Sequence, residues 1–143
     1  MNALLQLIAT LAALFFMDAV WLKFIAGGMV DWPAIYHYGY RPNWPFAEIY
    51  YIVAATCVTF GLAYPAIHDR DPIPAFTGGG GLGFRISLIY AAIHQVFFTP
   101  WPLDLILTDI LWNTFMFAVV AVLSTYAGLW LQINYPEKSV RRT

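Results

Sequence analysis

The stretch LDLILTDILWNTFMFAVVAVLSTYAGLWL, running from Leu103 to Leu131, decides the fold. Its only charges are Asp104 and Asp109, both in the first two turns. A bilayer core about 30 Å thick is crossed by about 20 mostly apolar residues at 1.5 Å each. This run is longer than that. It also lacks the strict alternation that marks a strand of a membrane barrel. In lipid, backbone groups must bond within their own segment, so the stretch reads as a transmembrane helix.

Three further stretches read the same way. The first runs from about Ala3 to Phe24 with one internal acid, Asp18. The second runs from about Ala47 to Ile67, uncharged from Ile49 onward, and the third from about Leu82 to Phe98, with Arg85 near its start. The expectation is an all-α integral membrane protein, a four-transmembrane-helix bundle forming a single domain over residues 1–143. The whole composition agrees. Of 143 residues, 61% are hydrophobic, 18% aromatic and 10% charged, against roughly 25% charged in an ordinary soluble domain. A chain this short cannot hide so much apolar surface in one core.

The same numbers exclude other classes. Seven basic residues and a net charge of −1 leave no electrostatic footprint for nucleic acid. The single cysteine, Cys57, rules out an internal disulfide framework and a cysteine-based metal cluster. The first span lacks a basic start and a small-residue cleavage pattern before Lys23, so it reads as a retained helix rather than a signal peptide.

Connections and orientation follow. Gly27 to Pro45 carries Trp32, Tyr36, Tyr38, Tyr40 and Trp44, residues that prefer the headgroup zone. Thr99-Pro100-Trp101-Pro102 reads as a tight hairpin between the third and fourth spans. Arg70, Lys138, Arg141 and Arg142, with Arg85 nearby, lie on the side of both termini; Lys23 and Arg41 lie on the other. The positive-inside rule places both termini in the cytoplasm, and the expected location is a bacterial inner membrane.

With that orientation, Asp18, Glu48, His94, Gln95, Asp109 and Asn113 come from four helices to similar depths in the outer half. Asp109 and Asn113 stand at i,i+4 with Trp112 beside them; Asp18 and Trp21 at i,i+3; Tyr90 and His94 at i,i+4. Each helix thus offers one polar-aromatic stripe. A charge at such depth costs about 2.5–3.5 kcal/mol on insertion scales, so these groups face the bundle interior. The opposite half reads as comparatively bare, apart from Arg85, Thr56 and Thr59.

Two interpretations of that cluster compete. One is interhelical hydrogen bonding, which fixes packing between membrane helices. The other is a proton or ligand pathway, with His94 as a partner for a carboxyl. The acids and His94, on separate helices, have no metal-ligand spacing, so no metal and no cofactor is expected. A pigment or haem ligated by the imidazole of His94 is the one exception kept in view. Gly79 and Gly83 form a small-xxx-small pair that lets a neighbouring helix approach closely. The surrounding run Gly78–Gly81 could equally leave the start of that helix loose. GxSxG, HExxH and CxxC motifs are absent from the sequence.

Several stretches resemble a known family. Met17-Asp18-Ala19-Val20-Trp21-Leu22 is similar to the first-helix Asp-x-x-Trp-Leu of the bacterial membrane proteins grouped as domain of unknown function 2177. Phe46 to Tyr51, Pro65-Ala66 and Gly79-xxx-Gly83 continue the likeness. Trp101-Pro102-Leu103 with Thr108-Asp109-Ile110-Leu111-Trp112 resembles its Trp-Pro…Asp-x-x-Trp block. The resemblance spans roughly residues 4 to 130. One departure stands out: where that family has Tyr-Asp-Leu-Thr-Asn in helix three, this chain has Tyr90-Ala91-Ala92-Ile93-His94. The resemblance implies fold and topology and carries no activity.

The sequence thus points first to a non-catalytic accessory or assembly subunit. Its partners would be the lipid bilayer and other membrane proteins, pigments or a homo-oligomer. A proton-coupled small-molecule transporter, or a membrane enzyme on a lipid or isoprenoid, using Asp18, His94 and Asp109, is the alternative.

Overall fold

The computed structural model describes residues 2–25, 44–97 and 103–135. The Gly27–Pro45 loop, apart from Trp44 and Pro45, lies outside the described residues, as do the Thr99–Pro102 hairpin, Arg41, Lys138, Arg141 and Arg142. Every described element is helical. α1 (Asn2–Val20) continues as a π turn over Trp21–Ile25. α2 (Trp44–Thr56), a π stretch (Cys57–Ala63) and α3 (Tyr64–Asp69) form one continuous rod. α4 spans Ile73–Phe97 and α5 spans Leu103–Asn134.

Three of these rods are long and apolar enough to cross a membrane: Ala3–Phe24, Glu48–Asp69 and Leu103–Asn134. α4 has the length, at 25 residues, but the Gly78–Gly81 run, Thr77 and Arg85 dilute its apolarity. It also begins nine residues before the expected Leu82. The glycine run is therefore inside the helix rather than a loose lead-in. Arg85 in turn falls at the middle of α4, not near its start.

The break in the second rod has a local cause. Pro65 lacks an N–H, and its ring crowds the carbonyl four residues upstream. The helix widens just before it, so that Tyr64 N–H bonds to Thr59 O in the i→i+5 pattern of a π turn. At the other end of α3, Arg70 takes a left-handed conformation (φ 55°). Its N–H bonds to Ile67 O at 3.3 Å and Asp71 N–H bonds to Ala66 O at 3.1 Å, which is a Schellman closure. Asp71 Oδ1 then accepts Ile73 N–H at 2.9 Å and opens α4.

In lipid the apolar effect gives helices no reason to associate, so close backbone approach and internal polar contacts must hold them. α4 supplies the first. Ala75, Gly79, Gly83, Ser87 and Ala91 recur every fourth residue, and all are buried. A methyl on Gly79 would overlap Phe117 O, and one on Gly83 would overlap Asn113 O. α5 packs along this seam, with Met116, Phe117, Val120 and Ala121 meeting Leu14, Ala54, Ala55 and Val58 in the core.

The second device lies towards the Asn2 end. Gln6 Nε2 donates to Ser124 O at 3.1 Å and to Ser124 Oγ at 3.4 Å. Ser124 and Thr10 hydroxyls are 2.7 Å apart, and Thr59 Oγ1 donates to Thr10 Oγ1 at 3.0 Å. Thr10 Oγ1 also lies 2.9 Å from Gln6 O. One proton assignment satisfies every bond. Thr10 donates to Gln6 O and accepts from both Ser124 and Thr59. α1, the π stretch and α5 are thereby tied through fully buried side chains. The half expected to be nearly bare thus contains a buried polar ring, of which the sequence reading named only Thr59.

Candidate functional site

The opposite half of the bundle carries the acids. Asp18 sits two to three residues before the π turn of α1, and Tyr51 Oη of α2 donates to its Oδ2 at 2.7 Å. Trp21, 8% exposed, lies one turn on and stacks on Trp112 of α5, with ring centroids 5.8 Å apart and planes 23° apart. α1 and α5 are thus clamped by aromatic faces directly beside the carboxylate. Trp112 in turn tilts against Phe115 at 6.1 Å. Trp112 Nε1 is buried without a hydrogen-bond partner among the described residues.

Asp109 lies three residues before Trp112 on the same helix. It is half-buried and lies within electrostatic range of Asp18 across the helix interface. Asn113 does not spend its amide on a neighbouring helix: its Nδ2 donates to Asp109 O at 3.0 Å. Tyr50 of α2 adds a second phenol, within electrostatic range of Asp18, Asp109 and Tyr90 of α4. Its neighbour Tyr51 packs against Phe15 at 5.6 Å and against Tyr50 itself at 5.4 Å. All the principal helices contribute: α1 gives Asp18 and Trp21, α2 gives Tyr50 and Tyr51, α4 gives Tyr90, and α5 gives Asp109 and Trp112.

Glu48 and Gln95 stand apart from these acids. Glu48 is exposed at the start of the second rod. Gln95 lines an apolar groove of about 460 Å³ with Leu88, Ala92, Ile106 and Ile110. Five positions beyond Tyr90, it is turned about 140° round α4 from that residue. The backbone of His94 is on α4, one turn beyond Tyr90, and its side chain lies outside the described residues. Tyr50 and Tyr51, which the sequence reading passed over, are the phenols nearest the acids. No group of three potential metal ligands occurs among the described residues.

Among the described residues, α2 and α4 leave a gap between them at this level. α4 meets the second rod chiefly through the π stretch and α3, with Gly78 against Leu62 as one such contact. Tyr50 and Tyr90, 37% and 48% exposed, stand on the two sides of that gap. Two carboxylates, three phenols and a pair of stacked indoles thus come from the principal helices to one half of the bundle.

No curated protein and no solved structure matches the chain. A family profile described as "Predicted membrane protein (DUF2177)" matches residues 3–126. The chain belongs to that family of membrane proteins.

Proposed function

We propose that this protein binds a small, positively charged, partly apolar molecule at Asp18 and Asp109 and exchanges it for a proton, as a proton-coupled carrier. The observation that supports this most is the pair of carboxylates on different helices, within electrostatic range of each other, with Tyr51 donating to one of them. Two like charges in a medium of low polarity favour protonation of one of them or attract a cation. The faces of Trp21, Trp112, Tyr50 and Tyr51 suit a cation with an apolar body. The gap between α2 and α4 gives such a molecule a path from the lipid. All four long rods cross the membrane in this reading, with Arg85 facing outward and both termini in the cytoplasm of a bacterial cell.

The test is binding of tetraphenylphosphonium to the full chain in lipid nanodiscs. Binding that weakens at least tenfold in Asp18→Asn and in Asp109→Asn, with helicity retained, supports the reading. Equal binding in wild type and both variants overturns it.

A second reading, an accessory or assembly subunit, is supported by a different observation. Arg85 is an exposed charge at the middle of α4, and such a group on a helix in lipid calls for a protein neighbour. Gentle extraction from the native membrane tests it. A stoichiometric protein or pigment partner favours that reading, and a colourless chain with no other protein bound counts against it.

A further inference from the structure

Heights within the bundle can be read from its contacts. Asp18 with Tyr51, and Thr10 with Thr59, fix an antiparallel register between α1 and the second rod. Glu48 then comes level with Trp21. Trp21 stacks on Trp112, which carries the height across to α5. Gly79 against Phe117 and Gly83 against Asn113 fix the register of α4 on α5, which sets Arg85 level with Leu111, beside Trp112. Glu48 and Arg85 therefore lie within about one helical turn of the same height.

Both are exposed, and neither has an ion-pair partner among the described residues. Lys23, the other cation near this level among the described residues, lies over the ring of Phe24 at 5.5 Å. Arg85 projects from the face of α4 opposite Gly83 and Ser87, the residues that pack on α5. Around it are Phe84, Leu88 and Ile89, all exposed; around Glu48 are Ile49 and Ile52, also exposed. An arginine amid such neighbours in a bilayer pairs with a carboxylate, snorkels to the interface or distorts the lipid around it, and a carboxylate at its own height favours the first.

We infer that the carboxylate that meets Arg85 is Glu48 of a second copy of the chain, and that Arg85 of that copy meets Glu48 in return. A two-fold axis along the membrane normal leaves every residue at its own height, so the partner's Glu48 meets Arg85 without a shift in depth. Isologous symmetry then makes the contact twice. A carboxylate and a guanidinium in this setting form a charge-assisted, bidentate pair. Apolar side chains around it add nothing that lipid does not also offer, so the charges set the register of the pair. This inference stands apart from the proposed carrier activity, since it uses neither Asp18 nor Asp109.

The experiment is a charge exchange on the full chain in lipid vesicles, with the dimer fraction read by energy transfer between labelled copies over a range of protein-to-lipid ratios. The expected result is a dimer in the wild type and at least tenfold weaker association in Arg85→Glu and in Glu48→Arg. The double variant Arg85→Glu/Glu48→Arg is expected to associate as the wild type does. Arg85→Gln and Glu48→Gln, which remove charge without reversing it and disturb folding least, are expected to weaken association as well. A monomeric wild type at every ratio overturns the inference. So do single variants that dimerise unchanged, or a double variant no better than either single one.

Discussion

Gly83 of α4 lies so close to Asn113 of α5 that a side-chain methyl at Gly83 would overlap the Asn113 carbonyl oxygen. The displaced atom is backbone, held in the ladder of α5, and cannot swing aside as a long side chain can. Gly83→Ala is therefore expected to push the two helices apart and to cost about 1–3 kcal/mol, the usual range for overpacking. Gly81, two residues away, has open space where its Cβ would be. Gly81→Ala is expected to be neutral, or to stabilise α4 by up to about 1 kcal/mol through helix propensity. Reversible unfolding in mixed micelles compares the two. Equal effects from both substitutions would show that the seam is looser than described.

The buried ring of Gln6, Thr10, Thr59 and Ser124 predicts non-additive losses. Across membrane helices one such bond is worth about 0.6 kcal/mol and at most about 1.7. Ser124→Ala removes the bond to Thr10 and the longer Gln6 bond to the Ser124 hydroxyl, leaving Gln6 on the Ser124 carbonyl, while Thr59→Val removes a single bond to Thr10. Ser124→Ala should cost more, and the double variant should lose less than the two losses added. Thr125, whose hydroxyl bonds only to Ala121 O on its own helix, is the comparator. Thr125→Ala should cost little beyond its packing. A double-mutant cycle measures this directly.

Arg70 closes α3 in a backbone conformation that costs residues with a Cβ about 1–2 kcal/mol. Arg70→Gly relieves that strain at a position where glycine is the usual occupant of a Schellman closure. Glycine is also freer in the unfolded chain, which offsets part of the gain. The expected net effect is a small rise in thermal stability, on the order of 0.5–1 kcal/mol. Arg70→Ala keeps the strain and removes the charge, so it should not reproduce the rise. Thermal unfolding of the two variants separates conformation from charge.

The sequence made some of this legible and hid the rest for identifiable reasons. Rods one, two and four show in the length of their apolar runs, because a bilayer fixes how many residues each needs. The start of α4 did not show. A glycine run is costly in an isolated helix and reads as loose, yet Gly79 and Gly83 are where α5 approaches most closely. Counting residues from the ends set Asp18, Gln95 and Asp109 at one depth, but the helix ends are not level. With Trp21 stacked on Trp112, Asp18 lies about 9 Å inward of Asp109, and the close approach of Gly83 to Asn113 carries Gln95 about 12 Å beyond Asp109, where it faces an apolar groove. Tyr51 could have been found. A phenol on an apolar helix, antiparallel to α1 and level with Asp18, is a donor with few other partners. The Gln6–Thr10 pair at i,i+4 and Ser124-Thr125 were also visible, and short polar residues in long apolar runs are easily read as filler.

Tyr51 offers a finer test of the acid site than removing either acid. Its hydroxyl is 2.7 Å from Asp18 Oδ2, so Tyr51→Phe deletes one hydrogen bond and leaves the ring against Phe15. Helicity and stability should change little, by about 1 kcal/mol or less. Tetraphenylphosphonium affinity should change with a shifted pH dependence, because Asp18 loses a donor that favours its ionised form. A pH profile identical to that of the wild type would place Tyr51 outside the site.

Proton release on cation binding tests the central claim most directly. The full chain in weakly buffered nanodiscs is mixed with tetraphenylphosphonium, and the pH change is followed with an indicator dye. Exchange at Asp18 and Asp109 predicts protons released in proportion to cation bound, with the release lost in Asp18→Asn and in Asp109→Asn. Cation bound with no proton released, or release that survives in both variants, would contradict it.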